Sequence, residues 1–227
     1  FLRRSSLLAA GAAMPFTKLF GQAAGNFTPL RRNVGYYTER GGTIVWLAAD
    51  GAMVMIDSQY PQTVKNCLNG LQDRSDAPLD LLINTHHHGD HTGGNPAVQD
   101  TAETMASHEN VPKLMKKAAE QSDGEGNTAY PSTTYSDSWK MDLGDETLHA
   151  KYYGPGHTSG DSVIYFEKAN VAHMRDLVFN RMHPYTDRPS GAALMNWINF
   201  LEEVADEYPT DAMYIFGHGK PEFGVEG

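Results

Sequence analysis

The chain has 227 residues, 40% of them hydrophobic and 20% charged, enough for one large domain with a buried core. A formal net charge of -10 argues against a nucleic-acid partner and against a polybasic contact with a membrane. The single cysteine, Cys67, excludes an intrachain disulfide and a thiolate metal cage.

In chain order, Arg3-Arg4 precede an alanine-rich apolar run from Ser5 to Met14. Twin arginines before such a run read as an export signal of the twin-arginine type, with Gly21-Gln22-Ala23-Ala24 supplying small residues for cleavage. Residues 1–24 are therefore expected to be a signal segment on a bacterial periplasmic or secreted protein, and residues 25–227 a single domain. If the segment is retained it must pack on something: a neighbouring chain, making a homo-oligomer, or, through its apolar Leu2, Leu7, Leu8 and Phe16, a bare surface of the domain. No run reaches the roughly 18 apolar residues that a membrane span needs.

From Gly35 the pattern is that of strands. Thr43–Leu47 and Ala52–Asp57 flank a turn ending in Asp50-Gly51, a hairpin signal. Pro61 opens a helix that runs to Gln72, with Cys67 on its apolar face beside Val64 and Leu68. Leu79–Asn84 reads as a buried strand, Glu103–Ser107 as another, and Asn110–Gln121 as a helix capped by Asn110. Ser122–Ser138 is polar and without period and reads as a long loop, with Tyr135 and Trp139 as lid aromatics. Strands are expected over Thr147–Tyr153, Ser162–Glu167, Asn170–Met174 and Ala212–Phe216. A helix is expected over Gly191–Glu207, its apolar face formed by Leu194, Trp197, Ile198, Leu201 and Val204. Runs of strands with interspersed helices suggest two sheets packed face to face with helices outside.

The chemistry concentrates in Thr85-His86-His87-His88-Gly89-Asp90-His91-Thr92-Gly93-Gly94. Imidazole and carboxylate are good ligands for Zn²⁺. His86 and His88 are two apart, so in extended chain both side chains point the same way and can hold one metal. Asp90 and His91 lie beyond the bend at Gly89 and can face a second. His87 should face the opposite side. His157, Asp176 and His218 each fall where a strand meets a loop, the usual place for sites on a rigid scaffold.

This set resembles the signature of the metallo-β-lactamase fold superfamily, over roughly Gly35 to Gly219. The resemblance implies an αββα four-layer sandwich of the α/β (α+β) class. It assigns His86, His88 and His157 to a first metal site and Asp90, His91 and His218 to a second. Asp176 matches the bridging aspartate of the glyoxalase II and lactonase branches. Asp176 lies 19 residues after His157 and His218 lies 42 after Asp176, a spacing similar to the β-lactamases whose second zinc is held by cysteine. Here Asp replaces that cysteine, Phe179 stands where those enzymes carry a carboxylate-gripping lysine, and Arg175 stands where a glycine commonly precedes the aspartate. Arg175 is expected either to grip a substrate anion at the metal rim or to point into solvent. Members of the family commonly carry a further helix after the motif matched by Gly217-His218-Gly219.

The function implied is hydrolysis of an acyl bond in a small molecule: an ester, lactone, thioester or β-lactam amide. Two zinc ions would activate a shared hydroxide, with Asp90 orienting it and accepting its proton. An oxygen-rich second site also admits iron or manganese. The rival readings are a metallo-β-lactamase that hydrolyses antibiotics, and a catalytically silent metal-binding or assembly protein of the same fold. Tyr185, Asp187 and Arg188 are expected to line the pocket.

Overall fold

The computed structural model describes residues 26–40, 42–122 and 127–219. The expected signal segment at 1–24 and the oligomer contact built on it lie outside the described residues. So does any helix after Gly219.

In chain order the strands and helices are β1 (Phe27–Arg31), β2 (Val34–Glu39), β3 (Gly42–Ala49), β4 (Ala52–Ile56), α1 (Pro61–Gln72) and β5 (Leu81–Asn84). Then come the single turn α2 (Gly89–Thr92), β6 (Thr104–His108), α3 (Asn110–Gln121), β7 (Thr133–Tyr135), β8 (Ser138–Leu143) and β9 (Glu146–Tyr152). Last are β10 (Ser162–Phe166), β11 (Val171–Asn180), α4 (Leu194–Glu207) and β12 (Met213–Gly219). One sheet has seven strands in the order β1-β2-β3-β4-β5-β6-β7, and the other has five in the order β12-β11-β10-β9-β8.

Side-chain alternation builds the layers. On β3, Val45 and Leu47 join Leu148, Ile164 and Phe166 of the second sheet in a core between the sheets. Ile44 and Trp46, on the other face of β3, pack with Val64, Cys67, Leu68 and Leu71 of α1. Because both faces are covered, β4 and β5 carry nearly uninterrupted apolar runs. On the far side, Val163 and Met174 pack under Trp197, Phe200 and Val204 of α4. The layers are thus helix, sheet, sheet, helix, the expected α/β sandwich. Among the described residues, no helix is long and apolar enough to cross a membrane.

Several boundaries differ from expectation. β1 precedes the anticipated first strand; Pro29 inside it obscures the pattern, yet is tolerated because β1 is an edge. The supposed long loop contains β7 and the start of β8. On β8, Trp139, Met141 and Leu143 alternate with exposed Ser138, Lys140 and Asp142, so Trp139 packs on the core. Tyr135 is buried and its hydroxyl donates to Ser162 Oγ at 2.9 Å, so neither aromatic is a lid. Asn110 does not cap α3; its side-chain amide donates to Ser159 O at 2.7 Å. The buried face of α4 is Trp197, Phe200 and Val204, with Leu201 partly buried against it, while Leu194 and Ile198 are exposed, and the helix begins at Leu194, three residues later than expected. β11 runs to Asn180, past two register shifts against β12, so Asp176 lies within a strand and not after one.

Candidate metal centre

The motif loop leaves the C-terminal end of β5. Parallel pairing with β4 brings Asp57, just past β4, to the same end. Asp57 is fully buried; its Oδ1 accepts from the Thr85 amide and its Oδ2 from the Thr85 hydroxyl, each at 2.8 Å. The loop is further tied down by Ser58 N–H donating to His91 O at 2.7 Å, and by Asn95 bridging Ser58 and Asn84. His157 sits in a tight turn after β9, where Asp161 accepts from the Thr158 hydroxyl at 2.6 Å and from the Thr158 amide at 2.8 Å. Asp176 comes from β11 and His218 from β12. Gly217 lets the two strands pass closely: a Cβ there would lie 2.4 Å from Asp176 Oδ1.

These elements bring all seven predicted residues together in two groups. His86, His88, His157 and Asp176 offer ligand atoms within 4.8 Å of one another, as do Asp90, His91 and His218. In the first group, His88 Nδ1 is 3.0 Å from His86 Nε2 and 3.1 Å from His157 Nε2. In the second, Asp90 Oδ2 is 3.3 Å from both His91 Nε2 and His218 Nε2. Asp176 joins the groups: its Oδ2 is 3.2 Å from His218 Nε2 and 3.6 Å from His157 Nε2, and its Oδ1 is 3.5 Å from His91 Nε2.

Divalent cations fit this donor set. His91 Nε2 and Asp176 Oδ1 are buried without a hydrogen-bond partner, which leaves both facing the group interior unsatisfied. The outward nitrogens of the first group are by contrast held. His157 Nδ1–H donates to Tyr185 O at 2.7 Å, and His88 Nε2–H donates to Asp187 Oδ2 at 2.9 Å. Asp187 is fixed in turn by Ser190 N–H. His87, His88 and Asp187 also form a compact trio, but His88 turns Nε2 to Asp187 and Nδ1 to the first group, so Asp187 orients the His88 ring. His87 faces away from both groups, with Nε2 at 3.2 Å from Ser190 Oγ. His108 stacks on Tyr152, His149 pairs with Glu167, and His183 is exposed.

Electrostatics separates the groups. Burial pushes the His86 ring well below the ordinary imidazole value, and burial lowers His157 as well. Burial and Arg175 also push His91 down, but Asp176 and Asp57 outweigh them and raise it to about 10. Asp176 and Asp90 raise His218 to about 9. Burial pushes the Asp90 carboxyl up, yet His218 and His91 hold it below the usual carboxylate range.

Arg175 is neither at the rim nor in solvent. It is 1% exposed, and its Nε lies 2.8 Å from Asp57 Oδ2 and 2.7 Å from His91 Nδ1. The register shift in β11 turns it inward, under the second group. Sequence reading missed Asp57 as a site residue; the available signal was a carboxylate directly after an all-apolar strand. Phe179 stacks on His218 with centroids 5.6 Å apart, and Tyr185, 60% exposed, stands 5.8 Å from the His157 ring.

A family model described as the metallo-beta-lactamase superfamily matches residues 37–218. The chain belongs to the metallo-β-lactamase superfamily. It is 26% identical over 180 residues to a probable metallo-hydrolase of Methanocaldococcus jannaschii, covering 74% of this chain and 82% of that protein. It is 26% identical over 130 residues to a hydroxyacylglutathione hydrolase of Crocosphaera subtropica, covering 57% of this chain but only 44% of that protein. Among solved structures, a metallo-beta-lactamase from Pontibacter korlensis superposes with a TM-score of 0.70 at 20% identity, over 86% of this chain and 91% of that one. The protein is a metal-dependent hydrolase of this superfamily with histidine and aspartate metal-binding clusters.

Proposed function

We propose that the protein is a binuclear zinc hydrolase acting on a small acyl substrate: an ester, lactone, thioester or β-lactam amide. The observation that carries this reading is Asp176, one carboxylate that reaches both groups: its Oδ2 lies 3.2 Å from His218 and 3.6 Å from His157, and its Oδ1 lies 3.5 Å from His91. His86, His88 and His157 would hold the first cation, and Asp90, His91 and His218 the second, with Asp176 between them. Cations held there supply Lewis acidity, making water nucleophilic near neutral pH and polarising the acyl oxygen.

The chain's own residues do the rest. Asp90, ionised and partly exposed at the mouth, orients the attacking water and accepts its proton. Phe179 and Tyr185 form an aromatic wall that positions an apolar part of the substrate and thins water around the carbonyl. Phe179 in place of a cation disfavours a substrate held by a carboxylate at that point. This favours esters, lactones and thioesters over β-lactam antibiotics. The oxygen-rich second group would also take iron or manganese. The twin-arginine segment makes the enzyme an exported one in this proposal, checked by cell fractionation.

The test is elemental analysis with turnover on one sample, using nitrocefin, a lactone and a thioester. The expected outcome is close to two zinc per chain, turnover abolished by chelation and restored by zinc, and lactone or thioester preferred to nitrocefin. A reconstituted protein with no bound metal and no turnover would overturn the proposal.

A further inference from the structure

Behind the two clusters the protein is built differently. The first cluster's outward nitrogens meet an uncharged carbonyl at Tyr185 and the carboxylate of Asp187. The second cluster's His91 meets a carboxylate too, since Asp57 Oδ2 is 3.1 Å from Nδ1. That arrangement would normally strengthen the ring as a ligand. Here the same oxygen also receives Arg175 Nε at 2.8 Å, and Nε itself lies 2.7 Å from His91 Nδ1. A cation on His91 Nε2 needs the ring proton on Nδ1, donated to Asp57 Oδ2. The guanidinium competes for that acceptor and crowds that proton.

The charge matters as well as the contact. The terminal nitrogens Nη1 and Nη2 of Arg175 are buried with no hydrogen-bond partner. Among the described residues no further acceptor meets these nitrogens, so the guanidinium retains part of its repulsion toward a cation held by His91. Arg175 and Asp57 also both sit in left-handed backbone, at φ 48° and 65°. That conformation disfavours side chains with a Cβ, so both residues are held there by their surroundings.

We infer that Arg175 is a positioning residue that weakens the second cluster's grip on its divalent cation, so that the two clusters fill in order. This rests on reading Asp90, His91 and His218 as a cation site. The first cluster fills at low free metal. The second fills only at a higher concentration, and Arg175 sets the interval between them.

The test is a zinc titration of the metal-free protein against a chromophoric chelator, resolving two stepwise constants without any substrate. Arg175→Met keeps the volume and removes the charge; Arg175→Gly also relieves the left-handed backbone. In both, the second constant is expected to tighten by roughly tenfold or more while the first stays near its wild-type value. Arg175→Lys, which keeps a charge, should stay close to wild type. A second constant that is unchanged or weaker in a variant with native circular dichroism overturns the inference. So does a lysine variant as tight as the methionine one. If wild type and variants all hydrolyse substrate but bind only one cation, the inference fails and the hydrolase assignment stands. Failure of wild type to bind any cation would instead strike the proposed function.

Discussion

The two histidine clusters lie side by side on one scaffold yet start from opposite electrostatic states. In the first, burial holds His86 and His157 low, so their ring nitrogens present lone pairs at neutral pH. In the second, burial and Arg175 push His91 down but Asp176 and Asp57 raise it to about 10, and Asp176 and Asp90 raise His218 to about 9. A group of histidines is ready for a metal when it is buried among its own kind. A group rich in carboxylates satisfies itself with protons until a metal displaces them. The contrast lies in the composition of the two groups, three rings and one shared carboxylate against two rings and two, with Asp57 added behind His91.

That contrast can be broken or sharpened by experiment. The largest effect is expected from His157→Ala, which should lose the first cation and on the order of a thousandfold in kcat/KM. Turnover within tenfold of wild type would show that the first cluster is not the reaction centre. Asp187→Asn keeps the shape but removes the charge behind His88. It should weaken the first stepwise zinc constant by roughly 10- to 100-fold and leave the second alone. An equal change in both constants would mean that the clusters are not separable.

Proton release is a finer probe. In a weakly buffered titration at pH 7.5, roughly no proton should accompany the first cation and about one from each of His91 and His218 the second. Equal release at both steps would erase the distinction drawn from the ring environments. The smallest effect concerns His173, buried behind the second cluster with neither ring nitrogen partnered and held down to about 3, chiefly by burial and by Arg175. The unfolded chain takes up that proton near the ordinary value of 6.5 and the native protein only near 3. The unfolded state therefore binds more protons in that window, and stability falls as pH drops through it. His173→Leu should flatten this acid decline in melting temperature; an unaltered pH profile would remove His173 from the account.

Legibility in the sequence followed distance along the chain. His86, His88, Asp90 and His91 stand within six positions, and their chemistry could be read directly. His157, Asp176 and His218 were readable as candidates because the sequence pattern puts each where a strand meets a loop, although β11 runs on through Asp176, and their grouping came from resemblance to a family. The sandwich was readable from the apolar runs of β4 and β5 and the alternation around α1 and α4. The trio of Asp57, His91 and Arg175 was not readable. Its members are 34 and 84 residues apart, and no local pattern announces a pairing made by a register shift in β11. The same bulge overturned both expectations for Arg175. β8 is hard to read although Trp139, Met141 and Leu143 alternate with polar residues, because the aperiodic polar stretch before it masks the alternation.

Gly217 offers a different kind of lesson, one about mutational tolerance. Any side chain there would press on Asp176 Oδ1 and on the backbone of Arg175, at 2.4 and 2.5 Å. In a library of single-codon changes, position 217 should therefore be as intolerant as the histidine that follows it. Every replacement would resemble the loss of a ligand, although each ligand would still be encoded.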